Sequence, residues 1–189
     1  MARLVVSSLV QLVRFYRWAF GDLTASDSDI GVIGEFLVGD ALGCLPTERK
    51  TQAVFDLVTG DGVSIEVKAT TRTVPRVTRD PVCKWSVSDQ RTALEGRREL
   101  ADVWVFLAAK FPASLRSRPA ARTQLSVFDP KYWTCWVVPG ETVRASGCRQ
   151  SVSEATLERF GIVSHPFAEF KKVFRQLTKE RKASNGNQE

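Results

Sequence analysis

Three charged side chains occupy positions where a purely structural hairpin would carry uncharged ones: Asp56 in AVFDLV, and Glu66 and Lys68 in SIEVKA. Residues 52–59 and 63–70 alternate and are rich in Val, Ile and Phe, with Gly60-Asp61-Gly62 between them, so they read as two strands joined by a turn. Side chains two apart on a strand share a face, which puts Glu66 and Lys68 together. If the loop is closed by Thr59 and Val63, paired positions add to 122 and Asp56 stands opposite Glu66. Two carboxylates about 5 Å apart repel unless a cation lies between them. An all-oxygen donor pair suits Mg²⁺, with Mn²⁺ as substitute, better than zinc. Lys68 beside that ion would orient or deprotonate an attacking water and stabilise charge developing on phosphorus, so the chemistry suggested is metal-assisted hydrolysis of a phosphodiester bond.

The elements that must position this trio follow from periodicity. Ser26-Asp27-Ser28-Asp29 supplies N-caps for a helix over 29–42, with Ile30, Ile33, Leu37 and Ala41 on one stripe, Glu35 inside it and Gly43 as its stop. Ser88 begins a helix to about residue 100 that carries Gln90 and Arg91 near its start, and 102–109 (DVWVFLAA) and 132–138 (YWTCWVV) read as buried strands. Val5, Leu9, Leu12, Tyr16 and Ala19 line one side of an N-terminal amphipathic helix. Ser153 caps a short helix that stops at Gly161, and a last helix runs over 166–182. Residues 70–84 are polar and Pro-punctuated and read as an exposed loop or irregular edge; 110–124 read as a basic loop and 183–189 as a disordered tail. His165, before Pro166, reads as a loop or capping residue. The expected fold is α/β (α+β), a mixed sheet with helices on its faces, divided into an N-terminal helix over 1–25, a domain over 26–182 and the tail.

Composition bounds the partners. The 189 residues are 43% hydrophobic and 25% charged, the balance of a globular chain rather than of a disordered one. The net charge of +6 is unevenly spread: residues 1–68 hold six basic and nine acidic side chains, whereas 69–125 hold eleven and five. Cys44, Cys83, Cys135 and Cys148 form no CxxC pair and His165 is the single histidine, which argues against a zinc or redox motif and for a reducing cytoplasm. The apolar start is interrupted by Ser7, Ser8, Gln11, Arg14 and Arg17, so neither a signal peptide nor a membrane span is expected.

Asp56, nine intervening residues and then Glu66-Val67-Lys68 resemble the motif of the PD-(D/E)xK nuclease superfamily, in which an Asp and an (Asp/Glu)-x-Lys face one another across a hairpin. The likeness extends to the order of elements over about residues 28–140, and it departs from the motif where Phe55 stands in place of the usual Pro. It implies a restriction-endonuclease-like fold, with Asp56 and Glu66 as Mg²⁺ ligands, the Val67 carbonyl completing the coordination and Lys68 assisting the nucleophilic water. It further implies a role for Glu35 on the preceding helix and one for Gln90, as a Gln serves in some members.

The expected substrate is double-stranded DNA, because Lys and Arg neutralise phosphates and release counterions. Arg72, Arg76, Arg79, Lys84 and Arg91 follow the trio directly and are the candidate contacts. The leading expectation is a Mg²⁺-dependent endonuclease in restriction or phage defence, acting as a homodimer on symmetric sites without a small-molecule cofactor. Alternatives are a structure-selective repair or junction-resolving nuclease, and a nucleic-acid-binding module without catalysis. In the last, the charged trio is a solvated face with a cross-strand salt bridge. A protein-interaction subunit using Tyr132, Trp133 and Trp136 is a further reading.

Overall fold

A computed structural model describes residue 14 and residues 30–46, 55–70, 73–74, 82–86, 101–109, 129–146 and 151–185. A five-stranded mixed sheet is built from β1 (Leu57–Val58), β2 (Ser64–Thr70), β5 (Val103–Ala109), β6 (Trp133–Pro139) and β8 (His165–Pro166), in that spatial order. The pair β2–β5 is parallel and the other neighbours are antiparallel. A second sheet joins β3 (Thr73–Val74), β4 (Val82–Ser86) and β7 (Ser151–Ser153). Among the described residues, α1 (Ile30–Leu42), α2 (Gly140–Ala145), α3 (Glu154–Arg159) and α4 (Phe170–Asn185) are the α-helices that accompany them, beside the helical Arg14. None of the described helices is long and apolar enough to cross a membrane.

Strand alternation divides the interior in two. Ile65, Val67, Val103, Val105, Leu107, Trp133 and Cys135 pack beneath α1 and α4, meeting Ile33, Phe36, Phe170 and Phe174. On the other side Trp104, Phe106, Trp136 and Val138 meet Trp85, Val143, Val152 and Leu157. The Trp85 indole N–H donates to the Leu107 carbonyl at 2.7 Å, which ties the small sheet to the large one. Because β2 and β5 are fully covered on this first side, α1 must approach closely: a Cβ on Gly34 would come within 2.7 Å of the Ala69 Cβ. Glycine there is a packing requirement.

Several expectations meet corrections. The stretch 70–84 is not simply an exposed loop, because Val82–Ser86 is a strand in which Cys83 and Trp85 are buried while Lys84 is exposed. Helix α4 starts at Phe170, after a strand pair at His165–Pro166 and a 3-10 turn, and it continues through Asn185 into the expected tail. His165 pairs with Cys135 at the sheet edge instead of capping a helix. Trp133 and Trp136, each 1% exposed, lie in the two opposite cores and offer no interaction surface. Ser153 does cap α3, its hydroxyl accepting from the Thr156 N–H at 3.3 Å, and Gly161 follows with φ of 73°. In the first expected helix only Arg14 is described; it is helical and its guanidinium pairs with Asp40 at 2.6 Å. The helix expected over 88–100, the loop over 110–124 and Cys148 lie outside the described residues.

Candidate active site

The hairpin has the expected register. Leu57 faces Ile65, Val58 faces Ser64, and the Thr59 N–H donates to the Val63 carbonyl at 3.0 Å across a turn in which Gly62 has φ of 84°. The positive φ explains the glycine at that end of the turn.

Of the strand expected over 52–59, however, only Leu57–Val58 is strand among the described residues: Phe55 and Asp56 form a bend, and 52–54 lie outside the described residues. In an antiparallel ladder with this register the Val67 N–H would donate to the Phe55 carbonyl. Here it donates to Asp56 Oδ2 at 2.7 Å. A side-chain carboxylate thus replaces a main-chain acceptor at the bend. Phe55, expected on the face of Leu57, packs instead against the tryptophan-rich core, while Leu57 enters the core under α1.

Glu66 and Lys68 alternate away from α1 and lie on the tryptophan side of β2. Glu66 is 4% exposed, and its Oε1 lies 2.7 Å from Lys68 Nζ. A buried carboxylate needs such a partner to stay ionised. Asp56 is less favoured. Burial, then the charge of Glu66, then that of Glu35 raise its carboxyl to about 7, against the opposing pull of the Val67 N–H and of Lys68. Those interactions show that Glu35 of α1, Asp56 of the bend, and Glu66 and Lys68 of β2 share one electrostatic neighbourhood, although they come from three segments. Glu35 is half-buried on its helix.

This donor set fits a hard divalent cation. The oxygens are carboxylate and carbonyl, and the carboxylates outnumber the single ammonium among them. Among the described residues no three His, Cys, Asp or Glu side chains stand close enough to form a metal cage by themselves. Mg²⁺ takes one or two carboxylates and fills its remaining positions with water and substrate oxygens, so two carboxylates and a main-chain carbonyl would suffice to hold it.

Of the expected nucleic-acid contacts, Lys84 is exposed on β4. Arg72, Arg76, Arg79, Gln90 and Arg91 lie outside the described residues. Sequence reasoning passed over Trp104, which stands next to Glu66 in the parallel register and is 2% exposed. Its Nε1 is buried with no hydrogen-bond partner among the described residues, a cost that protein interiors seldom carry. The available signal was a polar-tipped ring in an otherwise apolar strand, VWVFLAA.

Comparison with protein-family models, with curated proteins and with solved structures finds no match for this chain.

Proposed function

We propose that the chain is a Mg²⁺-dependent DNA endonuclease of restriction-endonuclease-like fold, a member of the PD-(D/E)xK superfamily in which Asp56, Glu66 and Lys68 are the working residues. The observation that carries this reading is the crowding of Glu66 and Glu35 on a half-buried Asp56 whose carboxyl is raised to about 7. Such crowding costs stability and has no packing benefit, so a binding role accounts for it best. Asp56, Glu66 and the Val67 carbonyl would hold the ion, which when bound supplies a Lewis acid for a phosphoryl oxygen and a more acidic water.

The chain's own contributions are separate. Lys68, tethered by Glu66 at 2.7 Å and one-fifth exposed, can turn its ammonium towards a phosphate and offset negative charge there. Asp56 is fixed by the Val67 N–H, so its second oxygen keeps a defined direction. Glu35, on a separate element, positions water or a second ligand. Double-stranded DNA as substrate and a homodimeric enzyme belong to the same proposal.

The test is cleavage of supercoiled plasmid, linear DNA and a four-way junction with Mg²⁺ or Mn²⁺, beside Asp56→Ala and Lys68→Ala and an EDTA blank. Discrete fragments absent in both variants support a sequence-specific enzyme. Cutting confined to the junction supports the repair reading.

A second reading, a nucleic-acid-binding module without catalysis, is favoured by the Glu66–Lys68 ion pair and by the absence of a three-residue metal cage among the described residues. It predicts DNA binding that is equal in Mg²⁺ and in EDTA and unaffected by Asp56→Ala.

A further inference from the structure

Helix α4 has two unlike sides. Phe170 and Phe174 are buried in the core beneath the large sheet, with Val173 and Leu177 packed against it. Lys171, Lys172, Arg175 and Lys179 are exposed, and with Ala168 and Gln176 they line an open depression on the outward side. Their spacing of three and four residues sets them on one helical stripe. At about 1.5 Å of rise per residue, this stripe presents positive charge over roughly 12 Å. None of the four is in an ion pair among the described residues. The nearest carboxylate in sequence, Glu180, accepts from Gln176 Nε2 at 3.1 Å.

We infer that this outward stripe of α4 anchors the phosphate backbone of duplex DNA, at a surface separate from the Asp56 neighbourhood. The chemistry of the stripe selects among polyanions. An interfacial membrane helix needs a free apolar face to sink between lipids, whereas the apolar side of α4 is already committed to the core. Protein interfaces are poor in lysine and are organised around aromatic anchors; this depression offers lysines and no ring. Closely spaced cations that form no ion pair among the described residues, set over an open surface, match a repeating phosphate lattice, whose affinity comes from counterion release. Because α4 covers the side of the sheet opposite Glu66 and Lys68, the stripe holds DNA without presenting the phosphate that would be cut. The choice of DNA rests on the function proposed above; the polyanion surface does not.

The experiment measures binding of a fluorescent duplex in EDTA across a salt series. It compares wild type, Val163→Ser, and the fourfold variant Lys171→Gln, Lys172→Gln, Arg175→Gln, Lys179→Gln. The fourfold variant should bind at least about tenfold more weakly and flatten the salt slope by up to about 3.6, at about 0.9 per lost phosphate contact. Val163→Ser, at an exposed position away from both the stripe and the Asp56 neighbourhood, should retain the wild-type slope. A double variant, Lys171→Gln with Lys172→Gln, should lose about half as much slope, and circular dichroism confirms that each variant is folded. Unchanged affinity and slope in a folded fourfold variant would overturn the inference, as would wild-type protein that binds no duplex. So would a variant that loses binding to phosphatidylserine vesicles while keeping DNA. Loss of duplex binding in the fourfold variant, with no Mg²⁺-dependent cutting by wild type, keeps this inference and removes the nuclease reading instead.

Discussion

On one face of β2, Ile65 and Val67 are buried beneath α1 and Ala69 packs against the same core; on the other, Ser64 and Glu66 are buried and Lys68 is one-fifth exposed. The two faces share one backbone and one solvent exclusion, yet only the first is filled by side chains that gain from leaving water. Each carboxylate on the second face requires compensation: Lys68 for Glu66, the Val67 amide for Asp56, and the Ser64 amide and hydroxyl, both at 2.9 Å, for Asp102. Asp56 is the one whose compensation falls short. That shortfall is the observation on which the proposed cation site rests.

The strongest way to break this contrast is activity. Asp56→Asn and Lys68→Ala should each lower the rate of Mg²⁺-dependent DNA cleavage by about 10²–10³-fold or more, whereas Ile65→Val, on the other face, should leave the rate per folded molecule unchanged. Equal losses in all three would erase the distinction. Next comes packing: Phe36, fully buried under the sheet, should cost about 3–5 kcal/mol when replaced by Ala, read from urea unfolding. Val58→Ala, at an exposed edge, should stay within about 0.5 kcal/mol.

Titration sharpens the contrast further. The folded Asp56 carboxyl holds its proton to about pH 7, while an unfolded one releases it near 3.8. The folded state therefore binds the extra proton between those values, and stability falls as pH rises through that window. Asp56→Asn keeps an acceptor for the Val67 N–H and removes the penalty. It should stabilise the protein at pH 8 by roughly 2–4 kcal/mol and leave it unchanged at pH 3. Added Mg²⁺ should raise the Tm of the wild type at pH 8 but not that of Asp56→Asn.

A small effect belongs to Arg181, which pairs with Asp102 at 2.7 Å near the surface. Burial pushes the Asp102 carboxyl up, but the Ser64 bonds and Arg181 outweigh it and hold the group below its usual value. Arg181→Ala should cost less than about 1 kcal/mol and less still in high salt, with the remaining difference disappearing as acid protonates Asp102.

Much of this was legible in the residues. The closing turn, the Leu57–Ile65 register, α1 with its glycine stop, the two long strands and the Ser153 cap all follow from local signals, and local signals are where sequence reasoning is strongest. The bend at Asp56 was not legible, because the pattern of AVFDLV continues to alternate while the acceptor of the Val67 N–H is exchanged from main chain to side chain. Strands β4 and β7 are short, and β4 follows Pro81; their stability comes from Trp85 and Val152 entering a core made mostly by distant residues. Helix α2 begins at Gly140 after Pro139, a pair that reads as a turn; glycine is needed there because any Cβ would collide with the Ala101 carbonyl oxygen. Proximity of Glu35 to Asp56 depends on how α1 lies across the sheet, which no spacing encodes.

The brevity of β1 has an effect beyond the site it borders. At the opposite margin of the five-stranded sheet β8 is also two residues long, and its Pro166 has no N–H to offer. Long, flat, unpaired margins invite a neighbouring molecule to add its own strand and so seed aggregates, and very short or proline-bearing ones blunt that invitation. Among the described residues both margins of this sheet are thus short, which blunts runaway intermolecular pairing.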